Sequence, residues 1–190
     1  MTNLSHIPPI KDQLGRALRD LRISVMDRCN FRCVYCMPED KFHPGFKFLP
    51  SKERLSFDEM LRLVRIFTKL GVTKIRITGG EPLLRVNLTD FIGDLSTLDN
   101  IKDIALTTNG VLLKKYAYEL KASGLDRITV SLDSIDPNEF KLMTGGRGDL
   151  DRVLNGIDEA QRAGFQRIKV NAVIKRGINE SNILKMVEYF

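Results

Sequence analysis

Gly71-Val72-Thr73-Lys74-Ile75-Arg76-Ile77-Thr78 recurs in outline twice more along the chain. It returns as Gly124-Leu125-Asp126-Arg127-Ile128-Thr129-Val130-Ser131 and as Gly164-Phe165-Gln166-Arg167-Ile168-Lys169-Val170-Asn171. Each run opens on a glycine suited to the left-handed residue that ends a helix, then alternates apolar and polar side chains with the period of a strand. Leu21 to Met26 and Ile104 to Thr107 fit the same phase, so five strands are readable. Amphipathic helices fall between them. Ser56 to Leu70 opens with the capping box Ser56-Phe57-Asp58-Glu59 and turns Met60, Leu63, Val64, Phe67 and Leu70 to one side. Leu88, Phe91, Ile92 and Leu95 make a second stripe, Leu113, Ala117 and Leu120 a third, and Val153, Leu154, Ile157 and Ala160 a fourth. A fifth helix begins near Ser181 and is still running at Phe190. Strand–helix alternation at this spacing predicts an α/β fold of parallel βα units. Repetition of one junction favours a partial barrel of the TIM type with five βα units, although a Rossmann sheet fits the same alternation.

Strand parity separates two faces. One holds Leu21, Ile23, Val25, Ile75, Ile77, Ile104, Leu106, Ile128, Val130, Ile168 and Val170, a set suited to packing under helices. The other holds Arg22, Ser24, Arg76, Thr78, Thr107, Thr129, Ser131, Lys169 and Asn171. The interior of an ordinary (β/α)₈ barrel is filled with branched apolar residues. Here it would be polar, with cations from three strands and no acid in the strand interiors, although Asp27 and Asp133 stand at strand ends. Unpaired buried charge is costly, so this face predicts a wet cavity for a ligand with several negative charges, such as phosphates.

The chain's three cysteines all lie in Cys29-Asn30-Phe31-Arg32-Cys33-Val34-Tyr35-Cys36, immediately after the first strand. An odd number of clustered thiols points to metal chemistry and not to disulfides. Structural zinc normally takes four protein ligands, and His43 could supply a fourth. Three thiolates suit a cubane iron–sulfur cluster with one iron left open to a ligand. In βα architectures the site forms at the carboxyl ends of the strands. The unusual loops sit there: the cysteine run, then Thr78-Gly79-Gly80-Glu81-Pro82, Thr107-Thr108-Asn109-Gly110 and Ser131-Leu132-Asp133-Ser134. The paired glycines would let backbone approach a ligand closely. Gly145-Gly146-Arg147-Gly148 reads as a flexible lead into the fourth helix. No phosphate-binding GxxxxGK[ST] and no dinucleotide-binding GxGxxG occurs.

At 190 residues, 43% hydrophobic and 28% charged, the chain has the composition of a soluble globular domain. Its net charge of +6 is scattered and forms no basic block, so neither a nucleic acid nor a membrane is predicted as partner. Without a membrane-length apolar run or a leader-like N-terminus, a cytoplasmic location follows by default.

Cys-x3-Cys-x2-Cys after the first strand, with Tyr35 just before the last cysteine, and Gly79-Gly80-Glu81-Pro82 after the second resemble the radical S-adenosylmethionine (SAM) superfamily. Within it, Asp12-x-x-Gly15-Arg16 leading to Leu21-Arg22-Ile23-Ser24 and on through Met37-Pro38 is similar to the GTP 3′,8-cyclase family of molybdenum cofactor biosynthesis. The likeness continues through Ile75 to Arg85, Thr107 to Gly110, Val130 to Asp133 and Ile168 to Asn171. It implies a [4Fe–4S] cluster on Cys29, Cys33 and Cys36, with SAM chelating the free iron beside Tyr35, Gly80 and Ser131. It implies GTP held by Arg22, Arg76, Thr107 and Lys169, of which the three cations are those that strand parity turned inward.

The resemblance implies a lyase in which reductive cleavage of SAM yields a 5′-deoxyadenosyl radical. That radical takes hydrogen from C3′ of GTP, and the carbon radical then attacks C8, leading to 3′,8-cyclo-7,8-dihydro-GTP. No side chain need serve as catalytic base in the first step. A reductant or electron-transfer protein is implied as partner and cyclic pyranopterin monophosphate synthase as the next enzyme, while a homodimer is compatible. Residues 1–20 are expected to be an N-terminal extension and 21–190 an incomplete core domain. The family's C-terminal region with a second three-cysteine cluster is not found, so a fragment with doubtful full activity is expected. Two alternatives stay open: another radical SAM enzyme of the peptide-modifying kind, and a non-catalytic iron–sulfur or zinc module.

Overall fold

Five strands form one all-parallel sheet in the order of the sequence, so each strand lies beside its predecessor. They are β1 (Asp20–Ser24), β2 (Lys74–Thr78), β3 (Asp103–Thr108), β4 (Arg127–Ser131) and β5 (Ile168–Asn171). This computed structural model describes residues 10–190, so the first nine residues of the expected N-terminal extension lie outside the described part. A Rossmann sheet reverses its strand order at a switch point. This sheet never reverses, and its consecutive order is that of a barrel wall.

Helices fill the connections: α1 (Phe57–Lys69), α2 (Leu88–Ser96), α3 (Leu113–Ala122), α4 (Pro137–Met143), α5 (Leu150–Arg162) and α6 (Ile183–Tyr189). The capping box at α1 is present in full: the Ser56 side chain accepts from Glu59 N, and Glu59 Oε2 accepts from Ser56 N. Sequence patterning did not predict α4, whose seven residues are too few for a stripe. Its signature is chemical: Asp136 caps the amides of Asn138 and Glu139, and Pro137 occupies the first turn. The last helix starts at Ile183, after a 3₁₀ turn over Glu180–Asn182.

The apolar faces predicted by parity meet these helices. Ile75, Ile77, Ile104, Leu106, Ile128 and Val130 are buried with Val64, Phe91, Ile92, Leu95, Leu113, Leu120 and Val153 in one continuous core. The opposite strand face stays open: Arg22, Ser24, Arg76, Lys169 and Asn171 are exposed, and Thr107, Thr129 and Ser131 are half-buried. The strand interiors carry no acid on this face, as expected, but acids stand at the first residues of two strands. Asp20 accepts from Arg76 Nε at 3.1 Å, and Asp103 binds the Arg127 guanidinium through both oxygens. The parity count also missed Lys74 and Arg127, which the register puts on the same face as Asp20, Arg22 and Arg76. Among the described residues, Arg22 and Lys169 form no ion pair.

Candidate functional site

Three free thiols lie at the carboxyl end of β1, with Cys29 and Cys33 half-buried against the core and Cys36 exposed. The loop that carries them is held from several sides. Arg32, 8% exposed, donates from Nη1 to the carbonyls of Cys29 and Phe31 at 2.8 Å each, and from Nε to the carbonyl of Phe42 at 3.0 Å. Arg32 N and Val34 N donate to the carbonyls of Thr144 and Met143, and the Phe31 ring packs edge-on against Phe140 of α4. Gly145 comes so close that a Cβ there would lie 2.3 Å from the Arg32 carbonyl oxygen. The glycine-rich segment is therefore packed under the cysteine loop, and Arg147 ties it to Glu39 at 2.6 Å.

The Gly79-Gly80 pair has a similar reason. Gly80 N donates to Met26 O and Glu81 N to Arg28 O, and a Cβ on Gly80 would sit 2.2 Å from that Arg28 oxygen. The backbone that approaches these glycines is the chain's own cysteine loop. Glu81 is wholly buried and accepts three hydrogen bonds: from Leu83 N (3.0 Å) and Thr108 Oγ1 (2.7 Å) at Oε1, and from Asn109 N (2.8 Å) at Oε2. Burial pushes its carboxyl upward, while these donors pull it back. Asn109 reaches the cysteine loop, donating to Asn30 Oδ1 at 2.7 Å and lying 3.8 Å from Cys29 Sγ.

On the other flank, Tyr35 donates from its hydroxyl to Asp133 Oδ2 at 2.8 Å, and Asp133 Oδ1 accepts from Val173 N at 2.8 Å. Asn179, almost fully buried, donates to the carbonyls of Asp133 and Val173 and accepts from Lys175 N. The hydroxyl of Tyr35 is pushed upward by burial and by the Asp133 carboxylate. Burial likewise pushes the Cys33 thiol up to about 12, helped by the charges of Asp133, Cys29 and Cys36. Cys29 moves the same way, burial first, with Glu81 and Cys36 adding to it. Cys33 thus senses the charges of Cys29 and Cys36, and Cys29 that of Cys36, and a positively charged metal group is what would stabilise thiolates here.

Among the described residues, no three of His, Cys, Asp and Glu are grouped to hold one metal ion. His43 Nδ1 accepts from Gly45 N and does not complete a zinc set. A cubane takes each thiolate at a different iron, so its ligands need not converge on one point. The cysteine loop fits that group.

The Radical SAM superfamily model matches residues 23–190. The chain belongs to the radical SAM superfamily. Membership implies a [4Fe–4S] cluster and SAM, and Cys29, Cys33 and Cys36 are the residues that would hold the cluster. This radical SAM chain is 52% identical over 182 residues to GTP 3′,8-cyclase of Xanthomonas axonopodis pv. citri, covering 96% of the chain and 54% of that protein. It is 52% identical over 184 residues to GTP 3′,8-cyclase of Staphylococcus haemolyticus, covering 97% and 54%. The chain thus spans about half the length of these curated relatives. Solved structures share its fold. Streptococcus suis SuiB bound to S-adenosylmethionine matches with a TM-score of 0.72 at 22% identity, over 90% of this chain and 37% of that one. Methylornithine synthase matches at 0.67 and 14%, over 90% and 50%.

The sequence-predicted residues fall into two groups. Cys29, Cys33, Cys36, Tyr35 and Gly80 belong to the loops at the carboxyl end of the sheet, where Ser131 ends β4. Arg22, Arg76, Thr107 and Lys169 lie on the open strand face, Arg22 opposite Arg76 and Thr129 between Thr107 and Lys169. A cleft of about 1170 Å³ opens at the amino-terminal side of this face, and Lys74, Arg76, Arg127 and Lys169 are among its lining residues. Sequence reasoning missed Arg32, Glu81 and Asn109 as supports of the cysteine loop. It named Asp133 only as a strand-end acid. A signal for Glu81 and Asn109 lay in their position, in loops directly after strands.

Among the described residues, no helix is long and apolar enough to cross a membrane.

Proposed function

We propose that this chain carries the SAM-dependent part of a GTP 3′,8-cyclase, a lyase that converts GTP to 3′,8-cyclo-7,8-dihydro-GTP in molybdenum cofactor biosynthesis. The observation that carries the reading is a loop of three free thiols at the carboxyl end of a parallel sheet whose open face bears Arg22, Arg76 and Lys169. Identity of 52% across 96% of the chain to a curated cyclase supports it.

Cys29, Cys33 and Cys36 hold the cluster in this reading. When bound, a reduced cluster would supply the electron for reductive cleavage of SAM, the source of radical chemistry directed at C3′ of the ribose. The chain's residues bind and orient. Tyr35, Gly80 and Ser131 flank SAM, and Thr107 faces the nucleotide. Arg22 and Lys169, both without an acidic partner among the described residues, take the phosphates, while Arg76 exchanges Asp20 for them. Like charges directly opposite in a sheet, such as Arg22 and Arg76, oppose one another until an anion lies between them. Residues 21–190 then form the core domain of this reading.

Anaerobic reconstitution with iron and sulfide tests it. The expected result is a brown protein that cleaves SAM when reduced, with GTP binding weakened in Arg22→Ala and Lys169→Ala at unchanged cluster absorbance. A colourless protein with one bound zinc overturns the cluster reading. Unchanged GTP affinity in both variants overturns the nucleotide site.

A further inference from the structure

The segment after Cys36 folds into an aromatic surface feature that neither the thiols nor the strand face accounts for. Phe42, Phe46 and Phe48 pack on one another with ring centroids 4.8 to 6.2 Å apart, and the Arg28 guanidinium lies 5.8 Å from the Phe48 centroid. Phe46 and Phe48 border a hollow of about 600 Å³ whose lining includes Arg28, Arg32, His43, Lys47 and Leu49. Phe46 is 39% exposed and Leu49 49%, so apolar surface faces solvent here. Leu49 N donates to Asp27 Oδ2 at 2.7 Å, which anchors the segment to the end of the first strand. An apolar centre inside a charged rim is the anatomy of a protein interface.

Charge and position select the partner. Arg32 is buried and taken up by carbonyls and Glu39, but the exposed Arg28 and Lys47 still outweigh Glu53, the one acid in the lining, so the complementary surface is acidic. A second copy of this chain would bring the same basic rim and a net charge of +6, which disfavours self-association here. The hollow shares no lining residue with Arg22, Arg76, Thr107 or Lys169, so it lies apart from the proposed nucleotide face. It connects directly to the cysteine loop, because Arg32 bonds the Phe42 carbonyl at 3.0 Å and the Cys29 carbonyl at 2.8 Å. A single buried side chain thus links the aromatic group to the backbone of a thiol residue.

We infer that this hollow is the docking surface for a small acidic one-electron carrier protein, whose electron enters beside Cys29 by way of Phe42 and Arg32. The inference rests on the cluster reading of Proposed function. In the step itself the carrier is oxidised by one electron and the cluster reduced by one; no bond forms or breaks.

The test uses the reconstituted protein with an acidic flavodoxin as probe, comparing the parent with Lys47→Glu and Phe46→Ala. Calorimetry at low salt is expected to show binding that weakens by about tenfold in Lys47→Glu, with a flatter salt dependence. Bleaching of cluster absorbance by reduced flavodoxin should slow by about the same factor, while bleaching by dithionite is unchanged. Phe46→Ala should weaken binding without flattening the salt dependence. The inference is overturned by absence of flavodoxin binding to the parent, by equal affinity in all three proteins, or by dithionite reduction slowing alongside. Displacement of flavodoxin by a single-stranded oligoribonucleotide would assign the hollow to RNA instead. A parent that takes up no iron would remove the cluster reading, and this inference with it.

Discussion

Glu81→Ala should be among the most damaging single changes in this chain, although the residue touches no solvent. The carboxylate accepts from two backbone amides and one hydroxyl within 3.0 Å, and it is wholly buried. Alanine would leave Leu83 N and Asn109 N without partners in a dry site. Each stranded amide costs about 1–3 kcal/mol. The Thr108 hydroxyl can rotate, and relief of the buried charge offsets part of the loss, leaving about 2–4 kcal/mol net. Glutamine fills the same volume but turns an NH₂ toward one donor, so it should cost less, about 1–3 kcal/mol. Urea unfolding followed by circular dichroism reads both. With a slope of about 2 kcal/mol per molar, the alanine midpoint should fall by about 1–2 M. An alanine variant within about 1 kcal/mol of the parent, or a glutamine variant less stable than the alanine one, would refute the reasoning.

Two other changes test separate parts of the structure. Gly145 has φ +65° and meets the Arg32 carbonyl, whereas Gly146 has φ +75° and nothing within 4 Å. Gly145→Ala should therefore lower the melting temperature by several degrees more than Gly146→Ala and reduce iron uptake, as thermal scans and iron assays would show; equal effects would mean backbone strain alone matters. Arg127 holds the Asp103 carboxyl below its ordinary range. A depressed acid contributes stability above its unfolded pKa of about 3.9 and loses it as pH falls through the folded value. Asp103→Asn should thus flatten the acid limb of stability below about pH 4, and an unaltered limb in pH-dependent unfolding would count against this pairing.

Much of this was legible in the sequence because it was periodic. The alternation in Gly71–Thr78 and its two relatives fixed which strand residues meet the helices, and the Ser56–Glu59 box located the start of α1. What escaped notice was either short or distant. Helix α4 lacks the length for a stripe. Tyr35 and Asp133 stand 98 positions apart, and no local pattern foretells their hydrogen bond. The role of Gly79-Gly80 was read as room for a ligand, yet the nearer demand is the backbone of Met26 and Arg28. Asp20 and Asp103 were overlooked because parity was counted over strand interiors, and both occupy first positions.

The unbroken strand order also bears on how the chain acquires its shape. A chain emerging from its amino terminus would find every new strand's partner already made, so the sheet can grow by accretion during synthesis. The steps are unequal, however. Joining β2 to β1 must close over the whole cysteine loop and α1, the longest connection between neighbouring strands. Closure entropy rises with loop length, though slowly, so that first pairing is the costliest of the four closures. Arg32, Gly80 and Glu81, which draw that long loop together, then bear on the tempo of folding as much as on its endpoint.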